Sequence, residues 1–125
     1  MYWLATENDR LGKQSAVMAR AAWAGGSLAA SAISFWELAL LIAKGRLEPS
    51  GDLEELRGAL LATGFIEIPL DGPIAILAMR LQGLHKDPAD RFIAATAMRF
   101  EATLITADAR LLRWRQGLKR QNATR

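Results

Sequence analysis

Apolar and polar positions along the chain switch repeatedly between a helical period and short strand-like runs. This alternation predicts an α/β layer structure with a parallel sheet. The predicted helices cover residues 13–24, 34–44, 52–63, 73–82, 88–100 and 108–115. The predicted strands cover residues 27–33, 65–70 and 103–106. No repeat or linker interrupts the pattern, so we expect residues 1–125 to form a single domain.

Composition narrows the class of protein. With 125 residues, of which 51% are hydrophobic, the chain can bury a core, which excludes a disordered or collagen-like protein. It contains no cysteine, so it has no disulfide, no thiolate nucleophile and no sulfur ligand, and any metal must be held by oxygen. Glu37, Lys44 and Arg46 interrupt the longest apolar stretch, and acids follow closely behind Met1. We therefore expect a cytoplasmic protein without a membrane span or a secretory signal.

The charge balance is basic, with 16 Lys and Arg against 13 Asp and Glu, a net charge of +3 and a pI near 9.8. This suits a polyanionic partner but is also common in ordinary proteins. Residues 109–125 contain six basic residues and no acid. Such a segment either contacts phosphates or is a solvated end, and because solvated ends are commoner we predict a basic, solvated tail at 116–125.

Three acids share one type of position in the predicted fold. Glu37, Asp90 and Asp108 each lie in the first turn, or at the cap, of a predicted helix. The carboxyl ends of parallel strands line one crevice, so these acids should converge there. Converging carboxylates repel one another unless a hard divalent cation neutralises them, and oxygen ligands favour Mg²⁺ or Mn²⁺.

Each acid also has an ordinary explanation as a helix cap. Ser34 and Glu37 have the spacing of a capping box. Asp87 precedes Pro88 as an N-cap, with Asp90 in the first turn, and Asp108 could be a plain N-cap. Taken singly, capping is the commoner role for each acid; only the set of three favours a metal site.

The sequence around these acids resembles that of PIN-domain proteins, specifically the VapC-type toxins. The resemblance lies in AISFWELA at 32–39, KGRL at 44–47, HKDPADRFIAA at 85–95 and LITAD at 104–108, in matching order and spacing. It implies a three-layer α/β sandwich with a central parallel sheet flanked by helices. It also implies a Mg²⁺- or Mn²⁺-dependent endoribonuclease of a VapBC-type toxin–antitoxin system, acting on RNA, held by a VapB-like antitoxin and forming a homodimer.

The resemblance also implies residue roles. Glu37, Asp90 and Asp108 fall on the family's metal-ligand positions, where the ion would activate water for attack on a phosphodiester. His85 is a further candidate for contact with substrate phosphate. The residues expected to orient ligands, water or substrate are Asp87, Thr106, Ser34 and Arg91.

The match departs from the family at its start. Family members open with a short apolar strand, central in the sheet, that ends in an aspartate, whereas Met1–Ala5 matches the helical turn that follows that aspartate. Glu7, Asp9 and Asp52 do not replace the missing acid, because each matches a position away from the crevice. We therefore expect an N-terminally incomplete domain that lacks the first central strand, with Met1 an internal methionine of a longer protein.

Two other functions remain open at this stage. One is a truncated or catalytically inactive PIN-domain binding module that retains antitoxin binding or dimerisation. The other is a small α/β domain that binds nucleic acid by charge alone, with the acids serving as caps. The second predicts binding that weakens steeply with salt and ignores Mg²⁺.

Overall fold

The computed structural model describes residues 11–45, 52–84, 86–114 and 116–125. The helices are α1 (Lys13–Ala24), α2 (Ile33–Ala43), α3 (Leu53–Ala62), α4 (Gly72–Arg80), α5 (Pro88–Arg99) and α6 (Ala109–Arg113). The strands are β1 (Ala29–Ser31), β2 (Ile66–Ile68), β3 (Leu104–Thr106) and β4 (Arg120–Asn122). Every helix and strand predicted from the pattern is present, with ends that differ by a few residues. The expected α/β class is confirmed.

The strands pair in parallel as two separate two-stranded sheets within the described residues. In one sheet β1 pairs with β2, with Ala30 opposite Glu67. In the other β3 pairs with β4, with Ile105 opposite Gln121. The predicted single central sheet is therefore present as two parallel pairs. The expectation of a missing strand between them stays a prediction.

The prediction of a solvated tail at 116–125 is wrong. Residues 120–122 form β4, and Leu118 and Ala123 are buried, with Ala123 fully enclosed. The Gly12 amide donates to the Ala123 carbonyl at 2.8 Å, which joins this segment to the start of α1. Arg120 donates to the carbonyls of Leu111 and Trp114 at the end of α6. Counting charges missed this because the segment is ordered by backbone pairing with β3, which the local composition does not reveal.

Two hydrophobic clusters hold the layers together. The larger joins α4 and α5 to the segment after β3 and includes Ile74, Ala94, Leu111 and Trp114. The smaller packs α1 against the strands through buried residues that come from five parts of the chain; they are Ala19, Leu28, Ala30, Phe65, Ile105 and Ala123. Both clusters draw on residues around β3, so the sheets and helices form one packed unit.

Helix ends follow local chemistry where the sequence supplies a cap. The Asp71 carboxylate accepts from the Ile74 amide at 3.0 Å and Pro73 lies in the first turn of α4. Gly26, at φ +74°, follows the end of α1 in the left-handed conformation that a side chain would strain. In the part of the chain described, no helix has the length and apolar character that crossing a membrane requires.

Candidate active site

A crevice of about 940 Å³ lies between the two sheets and is lined by residues of both β1 and β3. Ser31 and Thr106, the last residues of these strands, are among its lining residues. Glu37, Asp90 and Asp108 also line it. The structure therefore brings the three predicted acids, which come from three different helical segments, to the carboxyl ends of parallel strands.

Glu37 has a pKa well above the usual value of a glutamate. Its Oε1 atom is buried and has no hydrogen-bond partner within the described residues. The pKa of Glu37 is raised to about 7. Burial is the largest cause, and the nearby carboxylates of Asp90, Asp87 and Asp108 contribute the next largest parts of the rise. Three neighbouring carboxylates thus act on Glu37, and a cation bound at the crevice would relieve this repulsion.

The predicted capping box of Ser34 and Glu37 is wrong. Helix α2 begins at Ile33 with Ala32 at its N-cap, and this N-cap residue supplies no side-chain hydrogen bond. The hydroxyl that meets this end of the helix belongs to Ser31, which accepts from the Ile33 amide at 3.3 Å. Because the helix starts earlier than predicted, Ser34 lies inside the first turn and is buried. Glu37 consequently has no capping role.

Asp87 and Asp90 stand at the start of α5. The Asp87 carboxylate accepts from the Ala89 amide at 3.0 Å, as an N-cap ahead of Pro88 should. Asp90 lies in the first turn and is only 7% exposed. The predicted cap is confirmed for Asp87, and it places the Asp90 carboxylate at the crevice.

Asp108 combines a cap with a place in the crevice. Its Oδ1 accepts from the amides of Arg110 and Leu111, at 2.8 and 3.3 Å, so the predicted N-cap is confirmed. Its other oxygen, Oδ2, lies 3.7 Å from Arg110 Nη2. The Thr106 hydroxyl accepts from the Asp108 amide at 3.1 Å and so fixes the turn that presents this carboxylate. Capping and a role in the site are therefore compatible in one residue.

The Arg91 side chain is hydrogen-bonded to backbone carbonyls of a neighbouring helix and loop. Its guanidinium donates to the carbonyls of Ala78, Leu81 and Leu84 at 2.8 to 3.0 Å, which ties the end of α4 and the following loop to α5. These bonds use both terminal nitrogens of the side chain, an arrangement that supports a positioning role better than direct contact with substrate. His85 lies outside the described residues.

Sequence reasoning missed Arg110 and Ser31. Arg110 Nη2 lies 3.7 Å from Asp90 Oδ2 and from Asp108 Oδ2, although the sequence analysis counted it only among the six basic residues of 109–125. Its position two residues after Asp108, in the first turn of a helix, was the available signal. Ser31 could have been found as the small polar residue that ends a buried strand.

A family comparison bears on this arrangement. The model of the PIN domain family matches residues 2–116. The chain belongs to the PIN domain family. PIN domains are generally nuclease domains, and they generally use divalent metal ions. Searches of curated proteins and of solved structures gave no match.

The donor set of this PIN domain suits a hard divalent ion. The acids of the crevice offer only carboxylate oxygens as ligands, and the buried Oε1 of Glu37 has no hydrogen-bond partner among the described residues. Within the described ranges, however, no group of three or more acid or histidine side chains is arranged closely enough to hold an ion. The chemistry of the residues therefore fits a hard divalent ion.

The raised pKa of Glu37 predicts how the stability of the metal-free PIN domain depends on pH. Because the pKa rises from 4.5 to about 7 on folding, the folded chain binds more protons than the unfolded chain between these values. The stability contributed by protonated Glu37 is thus complete below pH 4.5 and is lost as the pH rises to about 7. Glu37→Gln should lack this loss. Thermal unfolding in EDTA at pH 5 and pH 7.5 measures it.

Glu55→Gln, a change at an exposed glutamate of α3, is the matched control for this experiment. It should keep the wild-type difference between the two pH values. Equal pH dependence in Glu37→Gln and the unchanged chain would contradict the described environment of Glu37.

Proposed function

We propose that this PIN domain is a Mg²⁺- or Mn²⁺-dependent endoribonuclease that cleaves RNA phosphodiesters as the VapC-type toxin of a VapBC-type system. The observation that carries the proposal is the meeting of Glu37, Asp90 and Asp108 at one crevice, with a buried Glu37 oxygen that has no hydrogen-bond partner among the described residues. Cytoplasmic location, a VapB-like antitoxin and a homodimer belong to the same proposal. They are supported by the resemblance of the sequence to that group.

In the proposed mechanism, Glu37, Asp90 and Asp108 hold the ion through their carboxylate oxygens. When bound, the ion neutralises charge on the phosphate and lowers the pKa of water for attack. Thr106 holds the Asp108 turn through the Asp108 amide, and Asp87 holds the start of α5 on which Asp90 lies. Ser34 is buried in the first turn of α2, the helix that carries Glu37, and in this proposal it fixes the place of that turn. These residues set the spacing of the carboxylates before substrate arrives.

The direct test uses an end-labelled, single-stranded RNA of mixed sequence. Cleavage into discrete products should require Mn²⁺ or Mg²⁺ and should stop with excess EDTA. A domain that binds by charge alone would instead shift the RNA in a gel without cutting it, and salt rather than EDTA would abolish the shift. Absence of cleavage with every divalent ion would overturn the nuclease proposal.

We further propose that the complete domain includes an apolar strand ending in an aspartate, encoded upstream of Met1. Two features support it: β1 and β3 both line the crevice, and the described strands form two pairs instead of one sheet. A strand between the pairs would join them and add a carboxylate to the crevice. A chain extended by its natural upstream codons should bind Mn²⁺ more tightly. An in-frame stop with no such segment upstream would exclude the proposal.

One observation favours a second candidate, an inactive binding module that retains antitoxin binding or dimerisation. It is the finding that no described group of three acids is ready to hold an ion. This candidate predicts a folded chain that binds neither Mn²⁺ nor Mg²⁺ and still forms a complex with a short protein encoded beside it. Metal binding by the 125-residue chain would decide against it.

A further inference from the structure

One cationic group lies between two acids of the crevice. Arg110 Nη2 is 3.7 Å from Asp90 Oδ2, on α5, and also 3.7 Å from Asp108 Oδ2, at the start of α6. A single nitrogen thus stands at equal distance from carboxylates of two helices. Asp90 is largely enclosed, with 10% of its side chain exposed, whereas the Arg110 side chain is 53% exposed.

The distance between Arg110 and the two carboxylates fits a loose ion pair and not a bidentate hydrogen bond between a guanidinium and a carboxylate. Charge-assisted hydrogen bonds between guanidinium and carboxylate measure about 2.7–2.9 Å, so 3.7 Å leaves a Coulombic attraction without a tight bond. An ion pair this exposed contributes little to stability by itself. Its effect is on Asp90 and Asp108, because a positive charge 3.7 Å from a carboxylate oxygen of each offsets the repulsion between them.

We propose that Arg110 is the internal counter-cation of the crevice in the metal-free protein, and that a divalent ion displaces it. The displacement half of this proposal rests on the metal-dependent function proposed above. A divalent ion bound by Asp90 and Asp108 would repel a guanidinium standing 3.7 Å from the same two oxygens. The half-exposed side chain of Arg110 can turn into solvent, so its departure requires no change in the core. Arg110 and the divalent ion therefore compete for the carboxylate oxygens of Asp90 and Asp108.

The test is Mn²⁺ calorimetry on the unchanged chain, Arg110→Gln, Arg110→Lys and Arg113→Gln. Arg113 lies on the same helix, is exposed and forms no ion pair with any residue that the structure describes, so it controls for loss of one charge. Removing the competing cation should tighten Mn²⁺ binding by about 3- to 10-fold in Arg110→Gln at low salt. Arg110→Lys should stay near the unchanged chain, and Arg113→Gln within about twofold of it.

A second readout needs no metal. In EDTA at low salt, Arg110→Gln should lower the unfolding temperature by about 1–2 °C more than Arg113→Gln does, as expected for an exposed ion pair, and this difference should vanish near 1 M salt. Equal unfolding temperatures would overturn the counter-cation role. The second readout applies whether or not the chain binds a metal.

The outcomes separate this inference from the nuclease proposal. If Asp90→Asn loses Mn²⁺ binding while Arg110→Gln and Arg113→Gln bind equally, the metal site stands and displacement of Arg110 is wrong. Weaker binding in Arg110→Gln would likewise overturn displacement. If no variant binds Mn²⁺, both the displacement and the metal-dependent function fail, and only the salt-dependent stability of Arg110→Gln supports the counter-cation.

Discussion

Asp90→Asn should lower metal-dependent RNA cleavage by at least about 100-fold, the scale expected when a group that holds charge in a transition state is lost. Asp90 is the most enclosed of the three acids that line the crevice. The unfolding temperature in EDTA should change little, because the amide keeps the shape of the side chain, and the loss of the 3.7 Å ion pair with Arg110 is offset by removal of a charge that raises the pKa of Glu37. Initial cleavage rates and thermal unfolding together measure this.

Asp52→Asn provides the matched control for Asp90→Asn. Asp52 occupies the N-cap position of α3, is exposed, and makes no side-chain capping bond. It should keep the full cleavage rate. Full activity in Asp90→Asn would remove Asp90 from the site, and an Asp90→Asn chain that fails to fold would show that the carboxylate is structural.

Deletion of residues 116–125 should unfold the domain or lower its unfolding temperature by more than about 10 °C. The deletion removes β4, the only described partner of β3, together with the buried side chains of Leu118 and Ala123. Leu118→Ala alone should lower the free energy of unfolding by about 2–4 kcal/mol, because it leaves a cavity in the larger cluster. Denaturant unfolding of both variants gives the comparison.

Lys119→Gln is the control for the deletion, since Lys119 is exposed in the same segment. It should change the free energy of unfolding by less than about 0.5 kcal/mol. If the shortened chain were as stable as the full chain, residues 116–125 would be a solvated tail, as the sequence predicted. This result would contradict the pairing of β3 with β4.

Local signals predicted much of the fold. Asp87 and Pro88 predicted the start of α5, because capping depends on residues a few positions apart. The convergence of the acids was predictable for a related reason. In a parallel α/β structure, the residue that follows each strand lies at the same edge of the fold, whatever the details of packing.

Features that depend on distant contacts could not be predicted. The pairing of β4 with β3 joins residues about 16 positions apart through backbone groups, and the short strand carries no apolar alternation that announces it. The place of Arg110 depends on Asp90, which lies on another helix. The capping box failed because α2 begins at Ile33, and the packing that buries Ser34 outweighed a local pattern.

Mn²⁺ titration calorimetry on the 125-residue chain, beside Asp90→Asn and Asp52→Asn, tests the central claim most directly. The claim is that the crevice holding Glu37, Asp90 and Asp108 binds a divalent ion. The unchanged chain and Asp52→Asn should bind Mn²⁺ alike, and Asp90→Asn should bind at least about tenfold more weakly. Equal binding by all three, or no binding by the unchanged chain, would contradict the claim.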